Sequence, residues 1–216
     1  MNRLKIVGML CLAAVLALGA GCQRKGEEEG RGTNAQENTA IPTAAEEPSS
    51  TTPATGTPAG GPSSATATLQ GAPGDDISGT VTFHATDDGV HVVAEVQGVD
   101  GAGKHGFHVH ENGQCDHQGE THFSSAGGHF NPTGVEHACP PTDPRHAGDL
   151  GNIEVGANGS ARMELAVTGL SLSGPNSVIG KAIILHANPD DCKTQPTGNA
   201  GDRLACGVVT AQGGQQ

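Results

Sequence analysis

The sequence has no tryptophan and no tyrosine, and only four phenylalanines, so aromatic residues make up 2% of its 216 positions. Apolar residues reach only 34%, whereas glycine occurs 34 times and proline 13 times. This composition argues against a long helical bundle and against a protein with several membrane spans. It favours a loop-rich β domain joined to disordered sequence.

Basic residues are also scarce, since 11 lysines and arginines face 23 aspartates and glutamates and leave a net charge of −12. Proteins that bind nucleic acid normally carry a basic patch or stripe, so nucleic acid is excluded as a partner. The abundant titratable residue is histidine, which occurs 11 times.

Residues 1–22 have the pattern of an export signal. A basic segment, Asn2 to Lys5, precedes an apolar run from Ile6 to Leu18 that is too short to span a bilayer and has signal-peptide flanks. Small residues then lead into Cys22, which resembles a bacterial lipobox with Cys22 as the lipidated N-terminus. The alternative is an ordinary cleaved signal peptide with Cys22 incidental. Both interpretations predict an exported protein, in the periplasm or at the cell surface, and the first predicts membrane contact through the lipid alone.

Residues 23–66 are rich in Thr, Ala, Pro, Ser and Gly and have almost nothing to bury. Such a segment cannot offset its ordering entropy, so we predict a disordered tether here. The folded domain is therefore predicted over residues 67–216.

Within that domain, apolar residues alternate with polar ones between turn signals. The pattern predicts a hairpin from Ile77–Phe83 and Val90–Val96, a second from Asn152–Val155 and Ala161–Val167, and further strands at Val178–Leu185 and Gly207–Thr210. No useful helical period is present, so the prediction is an all-β sandwich or barrel. Two long polar stretches, 111–150 and 187–205, are predicted to be functional loops.

The histidines cluster at the edges of those loops. His108 and His110 have the i, i+2 spacing that places two side chains on one face of a strand, where they can share a metal ion. A polar strand face is the alternative for such a pair in isolation. Further candidates follow, however, and six histidines with one aspartate in an exported protein indicate a metal site. The additional residues are His129, His137, His146, Asp149 and His186.

Four motifs, in order along residues 67–211, resemble the copper/zinc superoxide dismutase family. They are Gly-Phe-His-Val-His-Glu, Gly-His-Phe-Asn-Pro, Arg-His-Ala-Gly-Asp-Leu-Gly-Asn and Gly-Asn-Ala-Gly-Asp-Arg-Leu-Ala-Cys-Gly. The resemblance implies an eight-stranded Greek-key β-barrel, or flattened immunoglobulin-like sandwich, with two long functional loops.

The resemblance also implies one copper and one zinc ion per subunit. The copper ligands would be His108, His110, His129 and His186. The zinc ligands would be His129, His137, His146 and Asp149, with His129 shared. Imidazole suits both metals, and three nitrogens with one oxygen suit a closed zinc site. Asp190 would accept hydrogen bonds from His108 and His137 and so couple the two sites.

The activity implied is dismutation of superoxide to dioxygen and hydrogen peroxide, which would protect the cell envelope. His129 would carry a proton, and Arg203 would attract and orient the anion. A surface ion pair with Asp202 is the alternative for Arg203. The net charge opposes an anionic substrate, so attraction must be local, from Arg203, the metal or Lys193. The alternative function is metal sequestration on the same fold without turnover. A homodimer through residues 179–181 is a further possibility.

Four cysteines remain for the exported domain once Cys11 and Cys22 are set aside, and four allow three pairings. The family resemblance implies a disulfide between Cys115 and Cys206. Cys139 and Cys192 have no counterpart in the usual family pattern, but each lies two residues after a predicted partner, His137 and Asp190 respectively. If Asp190 bonds His137, these cysteines are close, so we predict a second disulfide. The alternative, thiolates competing for zinc, is disfavoured because histidine and aspartate already fill that site.

Five histidines remain outside these sets. His105 is implied to have a structural role, and His84 and His91 are predicted to lie on strand faces. His117 and His122, in an additional stretch before His129, are either exposed loop residues or an accessory metal site.

Overall fold

The computed structural model describes residues 61–118 and 121–212. The predicted signal peptide, Cys22 and nearly all of the predicted tether lie outside these residues. Within the described part there is no α-helix, and no helix is long and apolar enough to cross a membrane. A 3-10 turn covers Ser124–Ala126. The strands are Ser64–Gly71 (β1), Ser78–Thr86 (β2), Gly89–Gln97 (β3), Gly103–His110 (β4), His117–Gln118 (β5), Thr121–His122 (β6), Asp149–Val155 (β7), Ala161–Thr168 (β8), Ala182–His186 (β9), Arg203–Val208 (β10) and Thr210–Ala211 (β11).

Eight of these strands form a closed antiparallel barrel, as the family resemblance implied. Their order around the barrel is β1, β10, β9, β4, β7, β8, β3 and β2, and β2 returns to β1. The pairing of β10 with β1 closes the ring through Gln70 and Cys206. Closure satisfies the hydrogen-bonding groups that a sheet edge would leave open.

Alternation of apolar and polar residues explains why these segments are strands. In β3, Val90, Val92, Ala94 and Val96 are buried, and the residues between them are half-buried or exposed. Successive side chains of a strand point to opposite faces, so this set lines the barrel interior. The predicted β2–β3 hairpin has the expected antiparallel register, with Phe83 opposite Val92.

Strands β4 and β9 differ from the others because both of their faces are buried. Phe107 and Val109 belong to the interior core, so His108 and His110 point to the outer face of the barrel. Both histidines are nevertheless 0% exposed. The two long connections, residues 111–148 and 187–202, cover this outer face.

Backbone hydrogen bonds attach both connections directly to β4. The amide of Phe130 donates to the carbonyl of Val109 at 2.8 Å, and the amide of Gly106 donates to the carbonyl of Asn188 at 2.9 Å. The polar loops predicted from composition are therefore fixed against the barrel at the strand that carries His108 and His110.

Several predicted boundaries need correction, and strands β7 and β10 begin at Asp149 and Arg203, before the predicted Asn152 and Gly207. The first strand begins at Ser64, so residues 64–66 belong to the barrel and not to the predicted tether. Ala65 is fully buried opposite Phe83, and Thr66 pairs with both Thr82 and Thr210. The strand predicted from Val178 begins only at Ala182, because residues 178–181 form a turn in which the Lys181 amide donates to the Val178 carbonyl.

The corrected start of the domain is testable with a matched pair of aspartate substitutions. Ala65→Asp should lower the free energy of unfolding by about 3 kcal/mol or more, because it places an unpaired carboxylate in the core. Ala85→Asp, at an exposed position on β2, should change it by about 0.5 kcal/mol or less. Denaturant unfolding of the two variants measures the difference. Equal stability would place Ala65 outside the folded domain.

Candidate metal centre

The outer face of β4 and β9 carries the first cluster of histidines. His108 and His110 come from β4, His186 ends β9, and His129 is supplied by the covering loop through a bridge to His110. One ring nitrogen from each of these four residues lies within 4.8 Å of the others. The Nε2 atoms of His110 and His186 are 3.3 Å apart. Four buried imidazoles thus converge on one point.

A second cluster adjoins the first and shares His129 with it. The other members are His137, His146 and Asp149, and their candidate ligand atoms also lie within 4.8 Å of one another. Asp149 is the centre of this cluster, with its carboxylate oxygens 2.8 Å from His129 Nδ1 and 3.0 Å from His137 Nδ1. The structure therefore brings together all seven residues that the sequence placed in a metal site.

A tight turn sets the orientation of the Asp149 carboxylate. The Asp149 amide donates to the His146 carbonyl at 3.1 Å, and the His146 amide donates back to Asp149 Oδ2 at 3.1 Å. The amide of Ala138 donates to the same oxygen at 3.2 Å. These main-chain donors fix the carboxylate facing the histidines.

Hydrogen bonds to the outward nitrogens decide which nitrogen of each imidazole faces the centre. His108 Nε2 bonds Asp190 Oδ2 at 2.8 Å, His110 Nδ1 donates to the Gly127 carbonyl at 2.9 Å, and His186 Nδ1 donates to the Gly201 carbonyl at 3.3 Å. The ring nitrogen that faces a hydrogen-bond acceptor carries the proton, so the other nitrogen keeps a lone pair that can bind a metal.

The inward nitrogens are the best test of whether a metal fits. Two of them, His108 Nδ1 and His129 Nε2, are buried and have no hydrogen-bond partner among the described residues, whereas His137 Nδ1 and His146 Nδ1 face the Asp149 carboxylate at 3.0 Å and 3.4 Å. Buried polar atoms normally have a partner, and a missing one needs an explanation. Divalent transition-metal ions supply it, because each would accept these lone pairs. His129 offers one nitrogen to each cluster.

Burial keeps the imidazoles of the first cluster in their neutral form. It lowers the pKa of His108 to about 4, against the opposing effect of Asp190, and lowers the pKa of His186 to about 3. Burial also holds the pKa of His110 well below its ordinary value. These imidazoles are therefore neutral at pH 7, the form that binds a metal.

The second cluster has the opposite electrostatic character. Burial opposes charge on His137, but the adjacent Asp149 and Asp190 carboxylates outweigh it and raise the pKa of His137 to about 9. Burial also opposes charge on Asp149, yet hydrogen bonds with His129 and His137 hold its pKa below the usual range. A site that stabilises positive charge among these groups also stabilises a cation between them.

Asp190 links the two clusters, as the family resemblance implied. Its Oδ2 bonds His108 and its Oδ1 lies 3.0 Å from His137 Nε2. The side-chain amide of Asn152 holds its backbone at both ends, accepting from the Asp190 amide at 2.7 Å and donating to the Asp190 carbonyl at 3.0 Å. Carboxylates in this position orient ligand histidines and raise their basicity.

Two further contributors were missed from the sequence. Gln195 accepts from the His137 amide at 2.7 Å and donates to the His137 carbonyl at 2.8 Å, so it holds His137 as Asn152 holds Asp190. Gly198 has φ +64, and a Cβ there would lie 1.9 Å from Asp190 Oδ1 and 2.7 Å from His137 Nε2. Neither role has a signal in sequence spacing, because both depend on how the two loops meet.

Both predicted disulfides are present. Cys115 is bonded to Cys206, which attaches the first loop to β10. Cys139 is bonded to Cys192, with Cα atoms 5.0 Å apart, and it joins the two loops beside the His137–Asp190 contact. The alternative for Cys139 and Cys192, free thiolates competing for zinc, is wrong because both sulfurs are in the disulfide.

Arg203 is half-buried at the start of β10. Its Nη1 donates to the Phe123 carbonyl at 2.5 Å and its Nη2 donates to the Gly127 carbonyl at 2.6 Å. Gly127 is also the acceptor for His110, so the guanidinium lies beside the first cluster. Neither acceptor belongs to Asp202, so these contacts favour the role beside the metal over a surface ion pair.

The remaining histidines lie outside both clusters. His105 Nδ1 donates to the His186 carbonyl at 2.9 Å and so positions the end of β9. His84 and His91 face each other across β2 and β3, as expected for strand-face residues. His117 and His122 pair across the short hairpin β5–β6.

Comparison with known proteins agrees with this geometry. The sequence profile of the family described as copper/zinc superoxide dismutase (SODC) matches residues 77–209. The chain is also similar to a solved structure described as the clock protein EA4, at 38% sequence identity and a TM-score of 0.62. That match covers 71% of this chain and 97% of the other.

The profile spans more than half of the sequence and includes all seven clustered residues. The chain therefore belongs to the copper/zinc superoxide dismutase family.

The close approach of Gly198 to Asp190 and His137 can be tested by a substitution that adds a methyl group at position 198. Gly198→Ala should weaken metal binding about tenfold or more, because the Cβ displaces the carboxylate that orients His137 and His108. Gly174→Ala is the matched control, since Gly174 has φ +71 and open space around its Cβ position. Both variants introduce similar backbone strain, but only the first should change metal content in competition with a chelator. Equal losses would show that strain alone is responsible.

Proposed function

We propose that this protein catalyses dismutation of superoxide. Two superoxide anions and two protons become dioxygen and hydrogen peroxide. The observation that carries the proposal is the pair of clusters sharing His129, with two buried imidazole nitrogens, His108 Nδ1 and His129 Nε2, that have no hydrogen-bond partner among the described residues. The family supports this activity, and the residues below are those that would perform it.

His108, His110, His129 and His186 would hold copper, and His129, His137, His146 and Asp149 would hold zinc. Copper bound there would supply the one-electron chemistry, because it can accept an electron from one superoxide and give it to the next. Nitrogen ligands suit copper in both oxidation states and suit zinc. The second set has three nitrogens and one carboxylate, the composition of a closed structural zinc site.

Arg203 would bind and orient the substrate. A guanidinium carries a permanent charge and offers several donors to a small anion. Its contacts with the Phe123 and Gly127 carbonyls fix it beside His110. This local positive charge opposes the net charge of −12, which by itself repels superoxide.

His129 would hold and deliver a proton at Nε2 when that nitrogen is not bound to copper. Its Nδ1 lies against Asp149, which fixes the ring, and its Nε2 is buried within the first cluster and has no hydrogen-bond partner in the part of the chain that the structure describes. A proton placed there is adjacent to the site that Arg203 serves, and transfer to the reduced substrate leaves the nitrogen free again.

The proposed location is outside the cytoplasm. Two disulfides are consistent with an oxidising compartment. The export signal predicted in residues 1–22 supports the same location, and a lipid on Cys22 would attach the protein to a membrane.

A substitution at His186 tests the proposed function, because this residue belongs to the first cluster alone. His186→Gln should lose copper and superoxide consumption while it retains zinc. His91→Gln, at a position on β3 opposite His84 of β2, should retain both metals and full activity. Elemental analysis and the decay rate of superoxide measure the outcome. Activity in a copper-free sample would contradict the proposal.

Arg203→Gln tests the effect of Arg203 on turnover separately from metal binding, since it leaves all seven predicted ligands intact. Both metals should remain bound, and the rate constant should fall roughly ten- to a hundredfold with the loss of local positive charge. Arg162→Gln, at an exposed position on β8, should have little effect. A wild-type protein that holds both metals without consuming superoxide would favour the sequestration alternative.

A further inference from the structure

The hairpin β5–β6 carries a pair of histidines that the metal centre does not use. His117 and His122 are directly opposite each other in its antiparallel register. His117 is exposed and His122 is half-buried. Neither belongs to the barrel or to the two buried clusters.

The separation of their ring nitrogens is the informative feature. The two Nδ1 atoms are 3.4 Å apart. Nitrogen donors and acceptors in a good hydrogen bond are about 2.7–3.2 Å apart, so this contact is long for one. Two nitrogens bound at about 2.05 Å to a tetrahedral ion are about 3.4 Å apart. The corresponding distance within the first buried cluster, from His110 to His186, is 3.3 Å.

A buried aromatic ring supports both imidazoles. Phe123 is 1% exposed, and its ring centroid lies 4.8 Å from that of His117 and 6.1 Å from that of His122. The Phe123 amide donates to the Asp116 carbonyl at 2.8 Å, which closes the hairpin onto this ring. The imidazoles are therefore held near each other before any ligand arrives, and this reduces the entropy lost on binding.

Nearby carboxylates favour a cation. His122 lines a cavity of about 440 Å³ together with Asp75 and Asp202. Arg203 also lines this cavity, and its positive charge offsets one of the two carboxylates. With a net negative charge from these three side chains and with His122 in its lining, the cavity suits a divalent transition-metal ion better than an anion.

We propose that His117 and His122 form a separate surface site for a divalent transition-metal ion, Cu²⁺ or Zn²⁺. Their Nδ1 atoms are the two protein ligands, and water completes the coordination. The site is independent of the proposed dismutation, because it shares no ligand with the buried clusters.

Copper titration tests this proposal. The full chain is first saturated with copper and zinc, dialysed, and then titrated with Cu²⁺ by calorimetry. One further equivalent should bind, and electron paramagnetic resonance of that copper should show splitting from two imidazole nitrogens. His117→Gln and His122→Gln should each weaken this binding about tenfold or more. Neither should change the copper and zinc retained after dialysis.

His84 and His91 provide the matched control, because they are also cross-strand partners, on β2 and β3. The double variant His84→Gln/His91→Gln should bind the further equivalent as the wild type does. The proposal is overturned if the wild type binds no further copper. It is equally overturned if both hairpin variants bind it unchanged, or if only the β2–β3 variant loses it.

Discussion

The position of one imidazole, that of His129, is the constraint on which the rest of the centre depends. Both of its nitrogens are buried, with Nδ1 against Asp149 and Nε2 among His108, His110 and His186. A histidine can serve two ligand sets only if both are completed around it. Strands β4 and β9 supply the rest of one set, and the covering loop supplies the rest of the other together with Asp149 at the start of β7. Two metal sites in one small domain thus depend on docking that loop correctly.

Besides the hydrogen bonds between Gln195 and His137, two links between the loops maintain that docking. One is the Asp190 carboxylate, which contacts His108 and His137, and the other is the disulfide between Cys139 and Cys192. The disulfide spans 53 residues of sequence, and in the chain-entropy model closing such a loop stabilises the fold by about 4 kcal/mol. The bond itself lies beside the His137–Asp190 contact, so it holds the two loops together where the two ligand sets meet.

Local pattern predicted the parts of the fold whose burial is determined within one hairpin. The β2–β3 hairpin follows from the alternation that ends in Val96. The Cys139–Cys192 disulfide instead followed from the Asp190–His137 contact that the family resemblance implied, because each cysteine lies two residues after one of those partners. The start of β1 was missed because Ser64, Ala65 and Thr66 have the same composition as the preceding tether. Their burial depends on β2 and β11, which are distant in sequence.

The metal centre also contains some residues that the sequence predicted and others that only the structure identifies. The family motifs indicated the seven clustered residues and Asp190. Gln195 forms two hydrogen bonds with the backbone of His137, and position 198 requires glycine because of its close approach to Asp190. Both features depend on contacts between two loops. Spacing along one loop carries no information about such contacts, so only the assembled structure identifies these residues.

Magnetic coupling across His129 is the most direct test of a shared ligand. The zinc set is filled with Co²⁺ and the copper set with Cu²⁺, and the Cu²⁺ signal is recorded by electron paramagnetic resonance. A single imidazolate bound to both ions transmits exchange coupling, so the Cu²⁺ signal should be abolished in the doubly filled protein and present when the zinc set holds Zn²⁺. A full Cu²⁺ signal beside Co²⁺ would show that the two sets do not share His129.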